Sequence, residues 1–475
     1  MRRCCTYSET VDTGHTDLLK GDRVMRKMRL SSLLGIFLLL TILLTPIYSR
    51  ASDYHLATTG DDDNASVMEA WVVNPAPRSP PEPVGRVIDV TTFGIDLADN
   101  DADDSEAVST AIASAGDNCT LYFPAGVYNV RWVRKIDKAN GLSIKGDGPT
   151  ESILKRMGPF WREGLAHTYE NLRASYATDC KILRIEDCRN MCIRDIGFDA
   201  NGTPTFGGVG IKRPKRLYIT NTRYVDSKEH PALFGKDRYA WCILGYEEGG
   251  RDIWFTDNIV EGLQVEMDSV DRVVVERNIL KRSVKSPGIG FLSGNFSRRT
   301  EHAKGYSNTN ITVRNNYFSN SRNLSMGMVT FQLDPATNCN SVFRNIRILD
   351  NVFVYDIDSS GGHAAIKLGA GDSSLPTKGN VFEEFRIEGN RIYRKPDVNI
   401  VEKFNAYIWY NCWAGEHRLN RSVIRNNVLY TDTETKPLLN IGRKDQSIDL
   451  IIEDNHVRPY QPPSNEPARR GEPSR

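Results

Sequence analysis

VVVERNIL, residues 273–280, is the stretch whose reading decides the fold, because close copies of it return along the chain. They read FTDNIV from Phe255, ITVRNNYF from Ile311, IRILDNVF from Ile346, FRIEGNRI from Phe385, SVIRNNVL from Ser422 and LIIEDNHV from Leu450. Looser copies begin at Cys192 (CIRDIGF) and Leu217 (LYITNTRY). Each is an alternating strand, a polar pair usually ending in Asn, and a second apolar pair. The recurring residues are Asn258, Asn278, Asn316, Asn351, Asn390, Asn427 and Asn455, spaced by 20 to 39 positions. A motif returning at such intervals marks a repeat architecture. Asn tolerates left-handed backbone geometry, so these residues are expected to turn the chain at a corner. Stacked in successive turns, their amides can hydrogen-bond up and down as a ladder.

A further strand type lies between the copies: LRIE (Leu183), VGIK (Val209), LQVE (Leu263), IGFL (Ile289), FQLD (Phe331), IKLG (Ile366), IWYN (Ile408) and LNIG (Leu439). Three short strands per turn, with one residue type returning at a corner, describe a β-solenoid. The expected fold is all-β, a parallel β-helix of about nine or ten rungs, the shortest spacing being a bare rung and the rest carrying loops.

Upstream of the repeats run VIDVTTFGID (87–96), an acidic loop, DSEAVSTAIASAG (104–116) and LYFPAGVYNV (121–130). Val108, Ile112 and Ala115 recur at helical spacing, and Asp104 or Ser105 can cap the helix. A lone helix this short is marginal in water, so it is predicted to close the open end of the solenoid. Val90, Phe93, Gly94, Asp103, Asp104, Ala107, Ile112, Phe123, Pro124, Ala125, Gly126 and Tyr128 carry a family likeness. On these residues the entry segment resembles the amino-terminal part of the pectate lyase superfamily, the group related to rhamnogalacturonases and uronan epimerases. The resemblance implies a right-handed parallel β-helix that handles polysaccharide; it says little about the reaction.

The flanks are of another kind. An apolar run at 30–47 follows Arg26, Lys27 and Arg29 and precedes Ser49 and Ala51, the layout of a secretory signal peptide. The run is also nearly long enough to span a bilayer, so an uncleaved anchor is the other reading. Met25 or Met28 would be a better start than Met1. Residues 1–51 are therefore read as extension and signal, 52–85 as a polar, Pro-rich disordered linker, 86–457 as the β-helix domain and 458–475 as a disordered tail. The expected location is secreted, periplasmic or on the cell surface, with membrane attachment only if the signal stays uncleaved.

A formal net charge of +1 over 475 residues gives no electrostatic pull on nucleic acid. Nine cysteines are modest for this length, and Cys180, Cys188 and Cys192 cluster without zinc-site spacing. They are read as structural. Asp96, Asp99, Asp101, Asp103 and Asp104 offer oxygen ligands for Ca²⁺ but lack EF-hand spacing, and are read as favouring the helix N-terminus. No metal site or cofactor is expected, with Ca²⁺ admitted only if the reaction is a lyase's.

Along the further strands, apolar residues alternate inward and leave two outward rows. One is expected to run Arg184, Gly210, Gln264, Gly290, Gln332, Lys367, Trp409, Asn440; the other Glu186, Lys212, Glu266, Leu292, Asp334, Gly369, Asn411, Gly442. In the resembling superfamily the substrate groove lies along this face. Gln264 and Gln332 suit hydroxyls, Lys212 and Lys367 suit a uronate carboxylate, and Trp409 offers a flat face for a ring. Glu266 and Asp334, two rungs apart in one row, would stand roughly 9–10 Å apart at their backbones, close to the spacing of an inverting glycosidase pair. Asp268 can replace either. The alternative is solvated surface acids.

Residues 226–249 read as a long loop carrying Glu229, His230, Lys236, Asp237, Arg238, Glu247 and Glu248, either a wall of the site or a solvated excursion. His363 in SGGHAAIKLG is similar to the Gly-His-Gly stretch of polygalacturonases, but that family's other motifs are missing here, so its catalytic residues are not carried over. The expected function is an exported enzyme cleaving glycosidic bonds of an acidic, pectin-like glycan. Hydrolysis by Glu266 with Asp334 or Asp268 is one route. Elimination with Lys212 or Lys367 as base is a second, and a non-catalytic glycan-binding or structural β-helix is the rival.

Overall fold

The computed structural model describes residues 85–463 apart from 99–100, 132, 158–181, 202–208, 226–240, 245–248, 263, 282–287, 293–306, 321–326, 334–339, 360–363, 371–378, 401–405, 412–417, 434–436 and 443. All described residues belong to one compact unit, residues 67–475. The extension and signal, nearly all of the linker, and residues 464–475 of the tail lie outside them.

Ten parallel strands stack into one sheet in chain order: Ile136–Asp137, Leu183–Glu186, Val209–Lys212, Trp241–Leu244, Gln264–Asp268, Ile289–Leu292, Val329–Leu333, Ile366–Ala370, Ile408–Asn411 and Leu439–Ile441. The repeat strands form a second, 22-stranded parallel set that wraps the other faces. The fold is the expected right-handed parallel β-helix. Its rung at Trp241–Leu244 falls inside the stretch read from sequence as a single long loop.

The ladder is continuous. Nδ2 of Asn258 donates to Asn278 Oδ1 at 3.0 Å, and the same bond links Asn278 to Asn316, Asn316 to Asn351, Asn351 to Asn390, Asn390 to Asn427 and Asn427 to Asn455 at 2.8–3.0 Å. Each ladder backbone N–H also donates to the next Oδ1, as in Asn278 to Asn316 at 2.9 Å. Thr222 starts the row by donating to Asn258. The sharp turn, however, is made by the residue before each ladder Asn: Asp257, Arg277, Asn315, Asp350, Gly389, Asn426 and Asp454 have φ between 51 and 67°. The ladder amide reaches inward while its neighbour bends the backbone, so the two tasks fall to different members of the polar pair.

Inside, aromatic rings stack rung on rung, with Phe291 on Phe331 at 4.6 Å and Phe318 on Phe353 at 5.0 Å. Such pairs add about 0.5–1.5 kcal/mol each beyond the burial of their area. The helix Ser105–Ser114 sets Val108, Ala111 and Ile112 into the first end of this core. Its N-cap residue, Asp104, makes no side-chain cap; the carboxylate accepts from Asn129 N at 2.8 Å and so ties the helix to the strand Gly126–Val130. Ser105 and Ser109 accept from the backbone of Arg131 and Arg134 in the same way. At the far end Ile452 and Val457 align with core residues Ile424 and Leu429 yet stand 39% and 60% exposed. Order runs slightly into the stretch read as tail: Arg458 ends a strand, and Tyr460 packs beside the stacked rings of Tyr393 and Tyr430.

Cys119, Cys188 and Cys192 are buried and form no disulfide with one another, and burial pushes the Cys188 thiol up to about 11. Cys180 lies outside the described residues.

Candidate active-site face

The register of the ten-stranded sheet decides which side chains can act together. Val265 pairs with Ile289 and Ile289 with Val329, and these inward residues share the core with Met267, Phe291 and Phe331. Alternation then points Glu266 and Asp268 to the outer face. One row runs Glu266, Gly290, Thr330, Lys367, Trp409, Asn440; the next runs Asp268, Leu292, Gln332, Gly369, Asn411.

This corrects the expected rows by two residues. Glu266 lines up with Gly290, not Leu292, and Gln332 joins the row of Asp268. The row through Glu266 reaches Thr330, so the pairing of Glu266 with Asp334 in one row is not realised; Asp334 itself lies outside the described residues. A slip of two preserves which side chains face in and out, so the apolar pattern alone could not reveal it. The missed signal was Thr330: the alternation Val329, Phe331, Leu333 starts two residues before the strand start read from sequence. His363 and the charged residues of the 226–249 stretch also lie outside the described residues.

The face differs along its length. At its first end Lys135 Nζ lies 2.9 Å from Glu186 and 3.4 Å from Asp137, and Arg184 approaches Glu186 at 3.9 Å. Burial pushes Glu186 up, but the Lys135 hydrogen bond and charge, with Lys212 and Arg184 behind them, leave it below its ordinary value. Lys212 is thus half-buried within an ion-pair group, the neighbour of Glu186 in its row.

The middle of the face is polar and covered. Gln264, Glu266 and Asp268 are 3%, 1% and 3% exposed, so the expectation of an open groove of solvated acids does not hold. Gln264 Nε2 donates to Glu266 Oε2 at 2.8 Å. Gly290 lies opposite Glu266 on the next rung, so no side chain occupies that position of the row. Positions i and i+2 on one strand put the Glu266 and Asp268 backbones about 6.5–7 Å apart on the same face.

Farther along, Trp409 does not present an open ring. It is buried with Ala364 and Ala406, and Lys367 Nζ sits 5.6 Å from its ring centroid. Lys367 is itself buried, in the position facing Trp409. The structure therefore brings together Gln264, Glu266 and Asp268, with Gln332 nearby. It places Lys367 and Trp409 in a separate buried contact and Lys212 in the ion-pair group.

The acidic loop is used by the chain. Asp96 accepts from Ala98 N, Asp103 from Ser105 N with Arg131 3.3 Å away, and Asp104 from Asn129 N. Among the described residues no group of three or more His, Cys, Asp or Glu side chains is arranged to hold a metal ion.

Solved structures of similar architecture include a family 28 exopolygalacturonase from Yersinia enterocolitica, 14% identical with a TM-score of 0.42, covering 78% of this chain and 71% of that one. A hyperthermoactive exopolygalacturonase from Thermotoga maritima is 13% identical with a TM-score of 0.48, covering 83% and 96%. PfbA, a surface adhesin of Streptococcus pneumoniae, is 15% identical with a TM-score of 0.44, covering 78% and 84%. These likenesses are too distant to assign an activity. No curated protein matches the chain. Residues 87–324 match the family described as rhamnogalacturonase A/epimerase, pectate lyase-like, a span that takes in the capping segment and the acid-bearing strand. The chain belongs to this pectate lyase-like family.

Proposed function

We propose that this chain is an exported polysaccharide-active enzyme that hydrolyses glycosidic bonds, with Glu266 and Asp268 as its carboxylate pair. The observation that carries the reading is two acids side by side on the outer face of one strand, enclosed rather than solvated, with only Gly290 facing Glu266 on the next rung. Charged side chains are rarely buried without a purpose. Glycosidases place their two carboxyls about 5–9.5 Å apart, depending on whether a water or the carboxylate itself attacks. A backbone spacing near 7 Å lets these two side chains reach that range. Glu266, accepting the Gln264 amide, takes the role of base or nucleophile, and Asp268 that of proton donor to the leaving oxygen.

Elimination fits less well. Its base would be a lysine, but Lys367 lies three strand steps from Glu266 in the row, roughly 14 Å, and is held on Trp409. Export rests on the apolar run at 30–47, and a calcium requirement belongs to the lyase route alone.

A second reading, a non-catalytic glycan-binding or structural β-helix, is favoured by one observation: the polar groups of the face are covered and in part satisfied by one another, Gln264 on Glu266 and Lys367 over Trp409. Glu266→Gln and Asp268→Asn separate the two. The hydrolase reading expects turnover to fall about 10²–10⁴-fold with polymer binding retained. Unchanged turnover in both variants would sink the carboxylate pair.

A further inference from the structure

A row of side chains just past the ten-stranded sheet carries charge unevenly along the solenoid. Register sets Arg189, Lys215 and Arg251 in line on successive rungs. The same row continues through Asp271, Thr309, Arg344 and Glu383. From Asp271 onward charge is answered by a partner. Thr309 and Asn310 both donate to Asp271 at 2.7 Å, Arg272 lies 2.8 Å from the same carboxylate, and Arg344 pairs with Glu383. The first three members are all basic and all exposed, as is Arg216 beside Lys215. The acids nearest them in sequence are engaged elsewhere: Asp187 gives both oxygens to Arg213, and Asp252 both to Arg272.

Neighbouring strands stand about 4.8 Å apart, so three like charges abreast repel one another. The repeat does not require them, since Asp271 and Thr309 fill the same position on later rungs. An anion laid along the row relieves the repulsion, and exposed guanidinium groups hold carboxylates through paired hydrogen bonds. The spacing of the bases selects among polyanions. Duplex DNA carries one charge per about 1.7 Å of its axis. An extended acidic peptide brings charges to one side only every second residue, about 6.5–7 Å. A glycan with a carboxylate on each ring advances one ring per charge, close to one strand step. Single-stranded nucleic acid needs open aromatic rings, but Tyr218 and Trp254 in the next outward row are 4% and 7% exposed. A membrane surface is gripped by apolar side chains as well as charge, and none of the exposed large hydrophobics among the described residues belongs to these three rungs.

We propose that Arg189, Lys215, Arg216 and Arg251 form a binding line, outside the ten-stranded face, for a polysaccharide that bears one carboxylate on each ring. The line is independent of Glu266 and Asp268 and holds its glycan whether or not those acids cleave it.

The test uses the full-length chain, with polygalacturonate, mannuronan and glucuronan each set against its carboxyl-reduced form, and binding read by affinity electrophoresis in dilute buffer. At least one uronan should bind at least tenfold tighter than its neutral form, and the preference should fade in high salt, where exposed charges are screened. The triple variant Arg189→Gln, Lys215→Gln, Arg251→Gln should lose at least tenfold in uronan binding and melt no lower than the parent, since it removes mutual repulsion. Arg344→Gln, in the paired part of the same row, should do the reverse: binding within twofold of the parent, and a lower melting temperature because Glu383 loses a partner. Wild-type uronan binding by the triple variant, a lower melting temperature in that variant, or an equal loss of binding in Arg344→Gln would overturn the proposal. So would failure to bind any uronan, or tighter binding of DNA or of anionic phospholipid vesicles than of every uronan. Uronan binding lost in the triple variant but kept in Glu266→Gln, with no polymer ever cut, would sink the hydrolase reading and leave the line standing. Cleavage that disappears in Glu266→Gln, with wild-type binding in the triple variant, would do the opposite.

Discussion

Two rows of buried polar side chains run along the axis of this solenoid, and they behave differently. At the corner, every asparagine from Asn258 to Asn455 meets a copy of itself one rung away, and each amide between the two ends is both donor and acceptor in the chain of bonds. On the outer face of the ten-stranded sheet no position repeats: Glu266 is followed by Gly290, Thr330 and Lys367, and Asp268 by Leu292 and Gln332. The corner solves the burial of polar groups by repetition and becomes part of what holds the fold. The face leaves Gln264 Oε1 and Gln332 Oε1 enclosed and unmatched, which the fold does not require.

The sharpest way to break this contrast is to exchange the kinds of loss. Glu266→Gln and Asp268→Asn should each lower turnover by about 10³-fold, equivalent to about 4 kcal/mol of transition-state stabilisation, with little change in the urea midpoint. Asn316→Ala should do the opposite. It removes the acceptor of Asn278 N and Nδ2 and the side-chain donor to Val275 O and Asn351 Oδ1, all buried, and should cost about 3 kcal/mol or more in equilibrium unfolding. Asn455→Ala, at the half-buried end of the same ladder, should cost about 1 kcal/mol or less. Equal losses at Asn316 and Asn455 would mean that the ladder does not act through buried, mutually satisfied amides.

The smallest effect is expected at the first end of the face. There Glu186 is held below, and Lys135 above, their ordinary values; the hydrogen bond between them is the leading cause for Lys135, and for Glu186 burial, the largest single influence, is outweighed by that bond together with the charges of Lys135, Lys212 and Arg184. The sign follows. Glu186 contributes stability above its unfolded value, lost as pH falls through the lower folded one. Lys135 contributes below its unfolded value, lost as pH rises through the higher folded one. Lys135→Met should therefore lower the melting temperature slightly near neutrality and lose its effect at both extremes. A constant difference across the pH range would contradict the pairing. The group is partly exposed, so the effect at any pH is small.

Much of the fold was legible because repetition is written in residue types. The seven asparagines and the apolar pairs around them fixed the solenoid, and Val108 with Ile112 fixed the cap. The division of labour at the corner was not legible, since Asp257, Arg277 and Asn315 share no side-chain chemistry beyond tolerating a left-handed turn. The site was half legible. Period-two alternation placed Gln264 and Glu266 outward correctly, and Asp268 with them. It could not number the strands against one another, because a slip of two leaves inside and outside unchanged. Trp409 and Lys367 were placed outward correctly and their partnership missed, since the sequence does not say that neighbouring rungs set one on the other.

The central claim, that the enclosed acid pair cleaves glycosidic bonds, is tested most directly by a product assay on the full-length chain. Neutral and uronic polymers are incubated with and without chelator, and reducing ends and ultraviolet absorbance are followed together. The account predicts new reducing ends without an absorbing, unsaturated product, unaffected by chelation and abolished in Glu266→Gln and Asp268→Asn. Absorbance rising with the reducing ends, or no cleavage of any polymer that the chain binds, would contradict it.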